Sequence, residues 1–255
     1  MKKRVVTALG IILVVALPLA FGGWLLELLA LFIVGAGAYE WAHICPDFKK
    51  WPKAIVPIMV LAVLLTRYVS QPYLYIVLTC TTVFFWILTI FAEDFEISDA
   101  FYCLTYFLIF SLIYRTIGFF SANHLYLITI VFATYGSDTG AWFIGRKFGK
   151  HKMNPRLSPK KSWEGLAGGI VFGAVLSFVI SLLYWKNLDL RILLPLCIFC
   201  PGIAEIGDLA FSAIKRYFHV KDFSNLLPGH GGVLDRVDSL LMNMLFCGIL
   251  ISIFL

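Results

Sequence analysis

The residues with the widest chemical repertoire lie near the C-terminus: Ser212-x-x-Lys215-Arg216, then Lys221-Asp222-x-Ser224, then Pro228-x-His230-Gly231-Gly232-x-x-Asp235-Arg236-x-Asp238. Just upstream, Glu205 and Asp208 follow a Pro201-Gly202 pair. Carboxylates, cations, hydroxyls and a glycine-flanked histidine in so short a stretch have the parts for handling phosphate beside a divalent cation. An offset of three puts Asp235 and Asp238 on one side of a helix, and an offset of four does the same for Asp208 and Ser212. Carboxylates this dense destabilise one another unless cations intervene. A hard ion such as Mg²⁺ meets that need with one or two carboxylates plus substrate phosphate. A plainer reading also exists. Asp235 and Asp238 can be acids favoured at a helix N-terminus, with Arg236 as neutralising partner, and His230 can be a turn residue bonded to backbone. One histidine is too few for a zinc site.

A second polar stretch begins inside an apolar run at Asp138, where an unpaired carboxylate needs a cation, a metal or a proton. It continues through Gly145-Arg146-Lys147-x-Gly149-Lys150 to Ser158-Pro159-Lys160-Lys161-Ser162-Trp163-Glu164-Gly165. Basic residues there anchor the chain by attraction to anionic headgroups. The glycines also expose backbone N–H groups among fixed cations, which suits polyphosphate oxygens. Ser162 to Gly165 is expected to open the next helix, and a helix N-terminus is a natural anion site. The order of a Walker A loop is missing. With no room for a soluble binding module, nucleic acid is not the partner.

The elements that hold these residues are dictated by composition. Of 255 residues, 60% are hydrophobic and 14% charged, against about 45–50% and about 25% in soluble domains. Repeated apolar runs therefore predict an all-α, polytopic transmembrane helical bundle; the alternation of a β-barrel is absent. With about 20 residues needed per crossing, nine spans are expected: 5–21, 24–43, 54–70, 73–92, 100–120, 124–144, 166–185, 190–206 and 238–255. The start, Met1-Lys-Lys-Arg4 before an apolar run, resembles a signal peptide. A second apolar segment follows immediately after Phe21-Gly22-Gly23, so an uncleaved first span and a tight hairpin are expected. With the N-terminus cytoplasmic, seventeen of the 21 Lys and Arg fall on cytoplasmic segments, leaving Arg67, Arg115, Lys186 and Arg191 outside. That is the positive-inside asymmetry, and it puts residues 145–165 and 207–237 on one face. Asp208 through Arg216 is expected as a short helix near the interface, after the span that ends at 206. Gly165, Gly168, Gly169 and Gly173 form a small-residue face for close helix packing, and Gly35 and Gly37 are candidates for another; either could serve a homodimer. The six cysteines read as small hydrophobes of the bundle. One integral membrane domain over 1–255 is expected, with N-terminal spans in 1–120 and a catalytic half in 121–255.

The segment Ser212 to Asp238 resembles the signature of the phosphatidate cytidylyltransferase (CDP-diacylglycerol synthase) family: Ser-x-x-Lys-Arg, Lys-Asp, Pro-x-His-Gly-Gly and Asp-Arg-x-Asp, in order and at that family's spacing. Asp138-Thr-Gly-Ala, Gly145-Arg-Lys-x-Gly-Lys and Ser158-Pro-Lys-Lys-Ser-Trp-Glu-Gly are similar to the same family. The resemblance runs from about residue 135 to the C-terminus, and the earlier spans match only generically. It implies an Mg²⁺-dependent transfer from CTP to phosphatidic acid at the cytoplasmic face of a cell inner membrane. Asp208 and Asp235 are implied as metal carboxylates, with a second cation such as K⁺. Asp238 is assigned to or beside the metal, and Lys215, Arg216 and Arg236 to phosphate oxygens. Ser158, Lys160 and Lys161 would hold the triphosphate or the lipid phosphate. His230, Gly231 and Gly232 would shape the pocket. Asp138, Arg146, Lys147, Ser212, Lys221 and Asp222 complete the expected substrate-binding set. An anionic-solute transporter is a rival, but it calls for an inverted repeat and broken midplane helices; a CTP-using polyprenol kinase is another.

Overall fold

The computed structural model describes residues 2–184 and 188–254, with side chains from residue 10 onward. The predicted span ends at 185 and 255 and the external Lys186 lie outside the described residues, as do the side chains of the basic residues 2–4. Nine α-helices run through the described residues, one for each predicted span: α1 (Lys2–Phe21), α2 (Gly23–His43), α3 (Ile55–Tyr68), α4 (Gln71–Phe91), α5 (Ile97–Ala122), α6 (His124–Phe148), α7 (Trp163–Ser181), α8 (Leu190–Tyr217) and α9 (Leu234–Phe254). Six of them, α2, α4, α5, α7, α8 and α9, are long and apolar enough to cross a membrane. At 14 residues, α3 rises about 21 Å and falls short of a hydrocarbon core of about 30 Å.

Local chemistry explains several boundaries. The α1–α2 hairpin turns at Gly22 and Gly23, both at positive φ (61° and 55°), where a side chain would be strained. Glu96 and Asp99 form a capping box at the start of α5. Ser162 accepts from the Gly165 N–H at 3.2 Å and opens α7 as expected. Asp189 does the same for α8 through the Arg191 N–H at 2.8 Å.

Two features depart from a plain run of short spans. The segment between α6 and α7 is not all loop, because β1 (Lys152–Asn154) and β2 (Ser158–Ser162) pair antiparallel. The Ser-Pro-Lys-Lys-Ser run lacks apolar periodicity and so gave no strand signal. Asp208 to Arg216 is not a separate interfacial helix either. It is the end of α8, 28 residues without a break despite Pro195 and Pro201 inside it. The apolar run stops near 206, but backbone hydrogen bonding does not.

The interior is built around close packing of α6 on α7. A Cβ added at Gly169 would lie 2.8 Å from the Ser137 carbonyl oxygen, and one at Gly173 2.7 Å from that of Ala133. The α7 small-residue face is thus filled by α6. Gly37 packs against Phe110 and Leu234, whereas nothing approaches Gly35 within 4 Å, so only one of that pair makes a close helix contact. Five of the six cysteines are buried, all as free thiols. Large apolar side chains such as Ile90, Phe91, Val171 and Leu183 remain exposed around the bundle. In water such a surface would drive association; in lipid it is the solvated face.

Candidate active site

The hairpin β1–β2 carries Lys161 across to α8. Its ammonium lies 2.7 Å from Glu205 Oε2 and 2.6 Å from Asp208 Oδ2. It also donates to the Glu205 carbonyl at 3.3 Å. The two motif stretches, far apart in sequence, therefore meet in one ion-paired cluster. Burial alone would lower the Lys161 pKa, but Glu205 and Asp208 more than offset it and hold it above the ordinary lysine value. Glu205 is almost fully enclosed, and Ser137 of α6 reaches it and the Pro201 carbonyl. Asp138, one residue on, lies in the field of Glu205, Lys161, Asp208 and Asp238.

About two turns beyond Asp208 on α8, Lys215 plays the matching part. Positions 208, 212 and 215 share a helix face, so Lys215 turns inward, where it is buried with Ser212. Its ammonium is 2.7 Å from Asp235 Oδ1 and 3.8 Å from Asp238 Oδ2, both on the first turns of α9. Asp235 Oδ2 accepts from the N–H groups of Phe223 and Gly232 at 2.8 and 2.9 Å. Asp235 is thus an organiser of the loop before α9 as well as a charge. Of the roughly four lone-pair sites on a carboxylate, three are used. Gly231, at φ 82°, lies against it: a Cβ there would be 3.0 Å from Asp235 Oδ2.

Two cavities flank this acidic seam and share Asp138 in their walls. One, of about 230 Å³, has Ser158, Lys160, Lys161 and Glu205 in its wall together with the apolar faces of Ala141, Trp142 and Leu166. The other, of about 520 Å³, has a polar end formed by His230, Asp235, Arg236 and Asp238 and an apolar wall from Ile11, Ile12 and Val15 of α1. It continues into a narrow apolar space shared by Ile11, Val15, Leu19, Val131 and Tyr135. Among the described residues His230 Nδ1 is buried without a hydrogen-bond partner, and Arg236 Nε donates to the His230 carbonyl at 2.9 Å.

Other expected residues lie apart. Arg146 stacks over Trp142 and Lys147 over Phe148, both on the exposed end of α6. Arg216 donates to the Val220 carbonyl at 2.5 Å, closing the C-terminal end of α8. Lys221 and Asp222 line an open cleft of about 620 Å³ with Tyr39 and His43, although Asp222 also packs on Gly231, where a Cβ would lie 3.3 Å from Asp222 Cβ and 3.0 Å from Asp235 Oδ2.

Glu40 of α2 was not among the expected site residues. It is fully buried and accepts from Ser224 Oγ and the Val233 N–H, each at 2.7 Å, and from the Leu234 N–H at 2.8 Å. The sequence did carry a signal: a carboxylate inside an apolar run, the same rule that singled out Asp138. Glu205, seen but not assigned a role, belongs to the cluster on the same ground.

The donor set fits a divalent cation. Asp138, Glu205, Asp208, Asp235 and Asp238 outnumber the ammonium groups of Lys161 and Lys215, and all are hard oxygen donors. Among the described residues no three His, Cys, Asp or Glu side chains form a ready all-protein cage. Mg²⁺ does not require one, since it is commonly held by one or two carboxylates, waters and substrate phosphates.

Comparison with known proteins identifies the family. The model of the cytidylyltransferase family matches residues 2–254. A phosphatidate cytidylyltransferase of Staphylococcus saprophyticus is 31% identical over 98% of this chain and 99% of its own length. One from Pseudomonas aeruginosa is 33% identical over 94% of this chain and 93% of its own. A Bacillus subtilis phosphatidate cytidylyltransferase is 39% identical over a shorter stretch, 55% of this chain and 51% of its own length. Since the family match takes in both motif loops and the helices that carry them, the chain belongs to the cytidylyltransferase family.

Proposed function

We infer that this membrane protein transfers the cytidylyl group of CTP to phosphatidic acid, yielding CDP-diacylglycerol and pyrophosphate. The observation that carries this reading is the pair of unlike cavities meeting at Asp138. The smaller one, with Ser158 and Lys160, offers hydroxyl and ammonium donors to a triphosphate; Lys161, in the same wall, is engaged by Glu205 and Asp208. The larger one suits an anionic lipid: the phosphate at the His230–Arg236 end, an acyl chain along the apolar wall of α1.

A phosphatidate oxygen attacks the α-phosphorus of CTP. The bond from that phosphorus to the oxygen bridging to the β-phosphate breaks, and pyrophosphate leaves with the electron pair. The nucleophile is already an anion at neutral pH, so no strong base is needed. Positioning and charge neutralisation supply the rate. Of the metal carboxylates that the resemblance implies, Asp208 and Asp235, the second already has three of its lone-pair sites engaged. Asp208 and Asp235 would hold Mg²⁺ with Asp238 sharing the load, and a second cation such as K⁺ has the surplus carboxylates to receive it. When bound, the metal neutralises phosphate charge and stabilises the departing pyrophosphate. Lys161 and Lys215 keep the acidic seam from repelling both reactants.

The charge asymmetry supports a cytoplasmic N-terminus, and nine crossings from there would put this site on the inner face of a cell inner membrane. There CTP arrives from water and phosphatidate from the leaflet. The defining assay supplies purified protein with labelled CTP, Mg²⁺ and phosphatidate, with and without a chelator. Pyrophosphate release that requires both lipid and metal is expected. Release of CDP instead would assign a kinase, and no turnover with retained anion binding would favour a transporter.

A further inference from the structure

We propose that Glu40 is a positioning residue for the transfer: from the N-terminal half of the chain it sets the place of the loop that carries His230, Asp235 and Arg236. This rests on the function inferred above and extends it to a residue outside both motif stretches.

The argument begins with burial. A carboxyl group with no exposure persists only if its oxygens are satisfied. Among the described residues Glu40 has no ion-pair partner. Its partners are the Ser224 hydroxyl and the N–H groups of Val233 and Leu234, where α9 starts. Those N–H groups have no intrahelical acceptor, and the helix dipole favours negative charge at that end. Glu40 thus acts as a cap supplied by a distant helix. Gly232 shows how tight the contact is, since a Cβ there would lie 2.6 Å from Glu40 Oε1.

Two carboxylates grip the same loop. Glu40 takes Ser224, Val233 and Leu234; Asp235 takes Phe223, Gly232 and Lys215. The gripped residues alternate along the chain, so releasing one carboxylate frees the backbone that aims the other. Displacement of reacting groups by about 1 Å can lower a rate about 100-fold. The effect should therefore fall on kcat, because Glu40 lines none of the cavities that take the substrates.

Glu40→Gln is the discriminating substitution. A carboxylate offers acceptors alone, whereas an amide must turn one NH₂ toward a partner. Oε1 serves Ser224 and Val233 while Oε2 serves Leu234, so either amide orientation sets NH₂ against a backbone N–H. The expected result is a kcat about 100-fold lower with KM unchanged for CTP and for phosphatidate. Faster amide exchange at Val233 and Leu234 and an intact thermal transition in detergent should accompany it. Unchanged kcat, or a loss that merely follows the folded fraction, would overturn the proposal. If Glu40→Gln does not fold, Ser224→Ala decides: it removes one of the three bonds, and a lowered kcat at unchanged KM supports the clamp, while wild-type kinetics refute it. Should the wild-type protein show no phosphatidate-dependent pyrophosphate release, the inferred function fails on its own. The exchange measurement then still tests whether Glu40 holds the loop.

Discussion

Lys161 and Asp235 are the residues on which the site's charge balance turns. Lys161 holds the buried Glu205 and the half-exposed Asp208 together. Removing one partner of a buried pair typically costs about 3–5 kcal/mol, so Lys161→Met should lower the melting temperature markedly. The pH dependence has a definite sign. A folded-state pKa above the unfolded value stabilises fully below the ordinary lysine pKa of about 10.4 and loses that contribution as pH rises through the raised value. The gap in melting temperature between wild type and Lys161→Met should thus be constant near neutrality and close only in strong alkali. A gap that shrinks between pH 7 and 9 would refute the ion-pair account. Asp235→Asn keeps the side chain's size but sets an NH₂ against either Lys215 or the loop N–H groups. Turnover should fall about 100-fold or more while the protein remains inserted and folded; near-normal activity would remove Asp235 from the site.

At the scale of elements, the packing of α6 on α7 decides whether the hairpin can deliver Lys161 to α8. Gly173 faces backbone of α6, with the Ala133 carbonyl oxygen 2.7 Å and the Ser137 nitrogen 3.0 Å from a would-be Cβ. Neither can move aside without shifting a helix. Gly173→Val should cost about 1–3 kcal/mol or more and reduce activity by prising α7 and β2 away. Gly35→Ala, with open space around it, should leave activity intact and raise stability by up to about 1 kcal/mol. Comparing thermal transitions of the two variants checks the assignment. The same element explains why α8 was divided too early: hydropathy changes at 206, but a helix whose polar end finds partners in Lys161 and α9 has no reason to stop there.

At the scale of the molecule, α1 closes one side of the larger cavity, far from the signature residues in sequence. Filling that wall with Val15→Trp should raise KM for phosphatidate and leave KM for CTP unchanged; equal effects on both would place the lipid elsewhere. Orientation is checked by thiol labelling with a membrane-impermeant reagent. Lys150→Cys and Asp222→Cys should react from the cytoplasmic side and Asn123→Cys from the other. Labelling of Lys150→Cys and Asp222→Cys from opposite sides would break the nine-span arrangement. Both expectations follow from a bundle in which distant helices share one site.

The sequence by itself determined the class, the run of helices, the two polar stretches and the family resemblance. Each of these is written locally, in apolar periodicity, capping residues and motif spacing. It also indicated that the stretches share a face, because charge asymmetry reports sidedness. Which side chains meet was decided by tertiary structure alone. Ser224 and Glu40 are 184 residues apart, and no local pattern encodes the rotation of α2 that brings them together. For the same reason Lys215 proved to be buried beside Asp235, while Arg146 and Lys147 remained on the outer end of α6. Helical spacing tells which residues share a face; only the packed bundle determines what that face meets.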